Sequence, residues 1–170
     1  FDAAMTFSGR KRPDGYRLLT ITNAGGPGIL AADTAERIGV KLPQMTKGTL
    51  DALIKQLPPS ASVYNPVDLI GDATSERYAA ALEKAVADRN VDGVLMILTP
   101  QAMTDVDNVA ELAIRTAATT VKPILTSFMG SLSVKNAVER LKEESIPNFS
   151  YPETAVRAFK KLADHRQWQG

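Results

Sequence analysis

The residues best suited to chemistry lie in one short run, Asn23-Ala24-Gly25-Gly26-Pro27-Gly28. An apolar stretch over 17–22 precedes it and a helical pattern over 29–38 follows, so the run reads as a strand-to-helix turn. Its three glycines tolerate unusual backbone angles and let a ligand approach closely. Pro27 suits the first helical position, where a missing N–H costs nothing. The N–H groups of Gly25, Gly26, Gly28 and Ile29 are then left over. The helix dipole adds about half a positive charge at that end. Such a turn receives anions, phosphate above all. Asn23, Ala24, Gly25, Gly26 and Gly28 are therefore the candidate phosphate ligands. A tight turn that binds nothing would have the same local sequence, and that alternative stays open.

Several other chemistries fail on their residues. A P-loop needs Gly-Lys-Ser/Thr, whereas Gly28 is followed by Ile29 and Leu30. The run from Gly26 to Ala31 fits a dinucleotide fingerprint of G-x-G-x-x-A form. An NAD site also needs an acidic residue at the end of the second strand, and the chain has Lys41-Leu42-Pro43-Gln44 there. A phosphoreceiver needs an acidic pair after its first strand and a Lys after its fifth. This chain offers Thr22-Asn23-Ala24 and Ser127-Phe128. Asp68 reads as a hydrogen-bond partner for the adjacent loop, with its further role open. Asp33, Glu36, Asp105 and Asp107 read as helix-surface or helix-start charges. The single histidine, His165, sits in the polar helix end Asp164-His165-Arg166 and is expected to be solvated. Met96 and Met103 read as packing, and Trp168 as a side chain that docks on a neighbouring domain. No catalytic residue and no metal ligand is assigned.

Composition narrows the field further. The chain has 170 residues, enough for one domain, with 44% hydrophobic residues to build its core. A net charge of +1 leaves no basic footprint for nucleic acid. The lack of cysteine removes disulfides, zinc-thiolate sites and thiol nucleophiles. No apolar run approaches the ~20 residues of a membrane span. The chain starts at Phe1, and a piece of a longer protein is expected.

The elements that must position the glycine turn alternate along the chain. Strands are expected at 17–22, 40–44, 66–70, 91–98, 122–128 and 146–149. Helices are expected at 29–38, 46–57, 75–88, 104–120, 132–144 and 151–165. Residues 1–15 read as a linker, 16–165 as the domain and 166–170 as a tail. The run from Val94 to Leu98 is apolar on both faces, the mark of a central parallel strand. Alternation of this kind demands right-handed crossovers. The fold class is therefore a three-layer, doubly wound α/β sheet, flavodoxin-like with order 2-1-3-4-5. In such sheets ligands bind at the carboxyl ends of the strands. The loops at 23–28, 71–74, 99–103 and 129–131 belong to that edge, and they are small, polar and glycine-rich.

Four ordered blocks carry a family likeness. The first is Thr20-Ile21-Thr22-Asn23-Ala24-Gly25-Gly26-Pro27-Gly28 with Leu30-Ala31-Ala32-Asp33. The second is Asn65-Pro66-Val67-Asp68-Leu69-Ile70-Gly71-Asp72-Ala73-Thr74. The third is the strand at 94–98 with Thr99-Pro100-Gln101-Ala102-Met103-Thr104. The fourth is Ser150-Tyr151-Pro152-Glu153-Thr154-Ala155-Val156-Arg157-Ala158. Over nearly its whole length the chain resembles the second flavodoxin-like, CoA-ligase domain of ADP-forming acyl-CoA synthetases, relatives of succinyl-CoA synthetase.

The resemblance implies the reaction acyl-CoA + ADP + phosphate ⇌ acid + ATP + CoA, run through a phosphohistidine that this chain does not supply. It implies CoA-binding, phosphohistidine and ATP-grasp domains or subunits as partners, in an oligomeric, cytoplasmic enzyme. CoA, ATP or ADP and Mg belong to that complete enzyme, and none is expected on this domain alone. Membrane and nucleic acid are not among the expected partners. It also implies that the helix starting near Gly28 stabilises the phosphorylated histidine. Gly71, Thr74, Thr99, Pro100 and Gln101 are placed near the same anion or the acyl substrate. Two other readings remain: a regulatory module fused to a protein acetyltransferase, and a stand-alone anion-binding domain.

Overall fold

The computed structural model describes residues 11–169. In chain order the elements are β1 (Leu18–Thr22), α1 (Gly25–Ile38), α2 (Lys47–Gln56), β2 (Val67–Asp68), α3 (Ser75–Ala87), β3 (Gly93–Leu98), α4 (Val106–Thr119), β4 (Ile124–Phe128), α5 (Lys135–Glu143) and α6 (Pro152–Gln169). Residues 1–10 of the expected linker and Gly170 of the expected tail lie outside the described residues. The other tail residues belong to α6, which runs past 165.

All strands pair in parallel, in the order β2-β1-β3-β4. Side chains alternate across the sheet and separate two cores. Leu19, Ile21, Val94, Met96, Leu98, Ile124 and Phe128 face one side, where α2, α3, α4 and α5 bring Leu53, Leu82, Val109 and Leu141. Leu18, Leu95, Ile97 and Leu125 face the other, where Ala31 and Ala35 of α1 meet Val156 and Phe159 of α6. The expected three layers follow from this alternation.

Two expected strands shrink to single bridges. Segment 40–44 pairs only through Lys41, beside Arg17, and segment 146–149 only through Asn148, beside Thr126. Segment 66–70 keeps just Val67 and Asp68 as β2. Lys41 and β2 lie on the same edge of β1, one at its start and one at its end. They share the second sheet position, and Asn148 marks the fifth, so the flavodoxin-like order holds with two contributors to one place. Pro43 and Pro66 have no N–H to donate, so neither segment can extend into the gap.

Asn65 fills that gap with its side chain. Its Nδ2 donates to the Leu18 carbonyl at 3.0 Å and to the Pro43 carbonyl at 3.1 Å. Its Oδ1 accepts from the Thr20 N–H at 3.1 Å. One carboxamide thus satisfies backbone groups of β1 that a longer strand would otherwise pair.

At the amino ends of the strands, Asp92 holds Arg17. Its Oδ2 accepts from the Arg17 backbone N–H and Nε, each at 3.0 Å, and its Oδ1 from Nη2 at 2.7 Å. Asp88 accepts from the Thr46 N–H at 2.8 Å and Oγ1 at 2.9 Å, where α2 begins. Burial raises the Asp92 pKa, but the bonds from Arg17 outweigh it and hold the carboxyl below its usual range. A folded pKa below the unfolded one stabilises above the unfolded value, about 3.9 for Asp. That contribution is lost as pH falls from there through the folded pKa. Urea unfolding against pH should therefore show stability falling with acidification below about pH 4, and a visibly flatter profile in Asp92→Asn. Identical profiles would mean that this pair carries no linkage.

Candidate site at the carboxyl edge

The glycine turn is built by its neighbours. Thr22, buried at the end of β1, donates through Oγ1 to the Ala24 carbonyl at 2.8 Å and accepts from the Ala24 N–H at 3.0 Å. The Asn23 side chain crosses to the next strand. Its Nδ2 donates to the Thr99 carbonyl at 2.8 Å, and its Oδ1 accepts from the Thr99 N–H at 2.9 Å. Tyr78, fully buried on α3, donates to the Ile97 carbonyl at 2.8 Å. The Asn23 backbone N–H lies beside its hydroxyl. Burial pushes the phenol pKa far up, with a further push from the Asp68 charge, so Tyr78 stays a neutral donor. Residues from β1, α3 and β3 thus lock the turn.

The helix begins earlier than its sequence suggests. Ala24 is the N-cap, with φ −141° and ψ 122°, and Gly25 is the first helical residue. Pro27 therefore occupies the third helical position rather than the first. The missing N–H still costs nothing, because the N–H groups of the first three helical residues have no intrahelical acceptor. Gly28 N–H reaches the Ala24 carbonyl at 3.4 Å, the start of the helical ladder. The open donors are thus Gly25 and Gly26, both exposed, and not Gly28 or Ile29. Among the described residues no side chain caps this end.

The three glycines of the turn have different surroundings. A Cβ on Gly26 would meet nothing within 4 Å. One on Gly28 would lie 3.0 Å from Thr22 Cγ2 and 3.4 Å from Pro66 Cβ, so Gly28 lets α1 approach β1 and β2. One on Gly25 would lie 3.4 Å from Asp68 Oδ2.

Asp68 bonds its neighbouring loop, as its sequence position suggests: Oδ1 accepts from the Ile70 N–H at 2.8 Å. Ile70 has φ +61°, a left-handed conformation that is costly for a β-branched residue. Asp68 on one side and the Ala73 N–H, 3.1 Å from the Ile70 carbonyl, on the other hold it there. The same loop carries Gly71, exposed, and Thr74, the N-cap of α3. Thr99 is tied to Asn23 by its backbone, while its Oγ1 is buried without a partner among the described residues. Pro100 lies against Gly130, and Gln101 is exposed, its N–H donating to Thr104 Oγ1. All ten candidate residues therefore share the carboxyl edge, but only Gly25 and Gly26 present helix-start donors that lack an intrahelical acceptor. Tyr78 escaped the sequence reading. Helical spacing with Ala81, Leu82 and Ala85 marks it as inward, but nothing local marks what its hydroxyl meets.

His165 sits towards the far end of α6, half-buried, where Arg12 hydrogen-bonds its ring; it is not simply solvated. Next to it, Asp164 accepts from the Tyr16 hydroxyl at 2.8 Å and from Lys160 at 2.5 Å. Trp168 is exposed. Among the described residues no three His, Asp or Glu side chains cluster as metal ligands, and no helix is long and apolar enough to cross a membrane.

The family model of the Ligase-CoA domain matches residues 18–169. The chain belongs to that family. It is 41% identical over 145 residues to acetate–CoA ligase [ADP-forming] I of Archaeoglobus fulgidus, covering 85% of this chain and 20% of that protein. It is 32% identical over 171 residues to the alpha subunit of acetate–CoA ligase [ADP-forming] I of Pyrococcus furiosus, covering 99% of this chain and 37% of the subunit. Among solved structures, the dinucleotide-forming acetyl-coenzyme A synthetase 1 of Ca. Korarchaeum cryptofilum, in complex with phosphate and ADP, superposes with a TM-score of 0.84. It shares 26% identity over 99% of this chain and 38% of its own. The Ligase-CoA domain thus spans well under half the length of these relatives.

The glycine surroundings separate packing from binding. Gly28→Ala should destabilise by about 1–3 kcal/mol through overpacking against Thr22. Gly26→Ala, in open space within a helix, should be neutral or stabilise by up to about 1 kcal/mol. Denaturant unfolding of the two variants distinguishes them, and equal losses would contradict the assignment of Gly28 to packing.

Proposed function

We propose that this Ligase-CoA domain supports phosphoryl transfer in an ADP-forming acyl-CoA synthetase, acyl-CoA + ADP + phosphate ⇌ acid + ATP + CoA. The observation that carries the proposal is the pair of exposed N–H groups on Gly25 and Gly26, with open space above Gly26 and the dipole of a 14-residue helix behind them. Family membership supplies the chemical context. Two phosphoryl oxygens accept from these donors, and the bonds of Thr22 to Ala24, of Asn23 to Thr99 and of Tyr78 to Ile97 keep them aimed without reorganisation.

The donors are neutral backbone groups. No Lys or Arg stands in the turn, and a carboxylate, Asp68, flanks Gly25. Such a site holds a phosphoryl group loosely enough to release it, as a reversible relay requires. Thr99 and Asn23 act by positioning the turn. The histidine that carries the phosphoryl group belongs to another domain of the complete protein, since His165 lies beside Arg12 and apart from the turn. CoA, ATP or ADP and Mg likewise belong to partner domains or subunits, and this domain closes the phosphohistidine site from one side.

The test uses the complete protein. Incubation with radiolabelled ATP and Mg²⁺ should yield an acid-labile, base-stable phosphoenzyme that CoA plus an organic acid discharges. Gly26→Val should lower its formation about 10²-fold, the scale of losing aligned donors in a transition state, while the protein stays folded. Full labelling of the folded variant would reject the site, and no label in the native protein would reject the synthetase reading. Asp68→Asn keeps an acceptor for the Ile70 N–H and removes the charge. It should tighten inorganic phosphate binding about tenfold, as read by calorimetry, and unchanged affinity would remove Asp68 from the account.

A further inference from the structure

Two described residues other than glycine have a left-handed backbone, Ser145 and Ile70. Ser145 lies just past the end of α5, where that conformation is common. Ile70 ends no helix, and its branched Cβ makes a φ of +61° costly. A strained residue persists only where its surroundings over-determine it, and such residues concentrate at functional places.

The chain is pinned on both sides of Ile70. The Leu69 N–H donates to the Thr22 carbonyl at 2.8 Å, and the Leu69 carbonyl accepts from Arg77 Nη1 at 3.1 Å. The same Arg77 nitrogen donates to Asp72 Oδ1 at 2.6 Å. The Ala73 N–H closes the loop on the Ile70 carbonyl at 3.1 Å. With its neighbours fixed in this way, Ile70 directs its own N–H to Asp68 Oδ1 at 2.8 Å.

That bond decides what the carboxylate does. Asp68 Oδ2 stands beside Gly25, 3.4 Å from the place a Cβ there would take. A carboxylate next to the first turn of a helix ordinarily caps it, accepting the open N–H groups and gaining from the dipole. Asp68 does not, because no side chain among the described residues caps α1. Its Oδ1 is engaged by Ile70 instead.

We propose that Ile70 is a positioning residue for the glycine turn. Its left-handed N–H holds the Asp68 carboxylate off Gly25 and Gly26 and so keeps both donors open. The inference rests on the phosphoryl reading of that turn. Asp68 is an internal anion in competition with the phosphoryl group. Bonded to Ile70 it leaves the donors free, and released from Ile70 it takes them. The strain of one residue is thus set against the capping of a helix by another.

Calorimetry of the complete protein with inorganic phosphate tests this. Ile70→Gly is free to leave the left-handed region, so Asp68 is released and phosphate should bind about tenfold more weakly, the scale of one helix cap. Ile70→Asn, a residue that accepts the left-handed backbone, should retain the native affinity. Adding Asp68→Ala to Ile70→Gly removes the competitor and should restore at least the native affinity. The crystal structure of Ile70→Gly without phosphate should show Asp68 accepting from Gly25 or Gly26. Equal losses in the two Ile70 variants, no restoration by Asp68→Ala, or a carboxylate still bonded to residue 70 in that structure would each overturn the inference. Native protein that binds no phosphate would reject the phosphoryl reading and this inference together. Phosphate bound with an affinity indifferent to residue 70 would reject this inference alone.

Discussion

The Asn23 carboxamide and the Thr99 peptide exchange two hydrogen bonds just beyond the paired ends of β1 and β3. The carboxyl edge depends on this exchange. A parallel sheet must release its strands into loops at that edge, and the first unpaired peptide groups there need partners. Asn23 provides them for Thr99 with a side chain, which leaves the following backbone free to enter α1 at once. Tyr78 donates to Ile97 with its hydroxyl beside the Asn23 N–H, so α3 is tied to the same point. With both strands and one helix held together, Gly25 and Gly26 have no freedom to turn their N–H groups elsewhere. Their orientation is a property of the sheet.

The same device appears twice more. Asn65 completes the outer edge of β1 between Lys41 and β2, and Asn148 completes the outer edge of β4. In each case a proline-flanked segment is too short to form a strand, and an asparagine side chain supplies the missing donor or acceptor. These edges are closed by single residues, which makes room for loops where longer strands would stand. Those loops carry Asp68, Ile70 and Gly71 at one side and Tyr151 at the other. Short strands therefore provide the space in which the glycine turn opens.

Charge separates the two ends of the sheet. At the amino ends, Asp88 and Asp92 are buried and satisfied by Arg17, Thr46 and Asn90, an arrangement that stabilises. At the carboxyl ends, polar groups are left open: two backbone donors on α1, the Thr99 hydroxyl and the Asn148 amide. A fold that closes one edge and leaves polar groups unmatched at the other has its buried ion pairs and its open polar groups in different places.

The alternation of strands and helices, the three layers, the strand-to-helix placement of the glycine turn and the family likeness were legible in the residues alone. Each rests on periodicity or on local turn chemistry, which neighbours in the chain encode. The hydrogen bond that Asp68 accepts from its loop was legible for the same reason. The start of α1 at Gly25, the two segments that share one sheet position, the packing role of Gly28 and the bonds of Tyr78 were not. Thr22 and Pro66 decide what Gly28 does, and Ile97 and Asn23 decide what Tyr78 does. The residues in such pairs stand from six to over fifty positions apart, and no local pattern records which will meet. The sequence by itself determined that a glycine turn opening a helix would stand at the end of a central strand. Only the tertiary structure decided which of its donors stay open, because that depends on hydrogen bonds and close contacts made between distant segments.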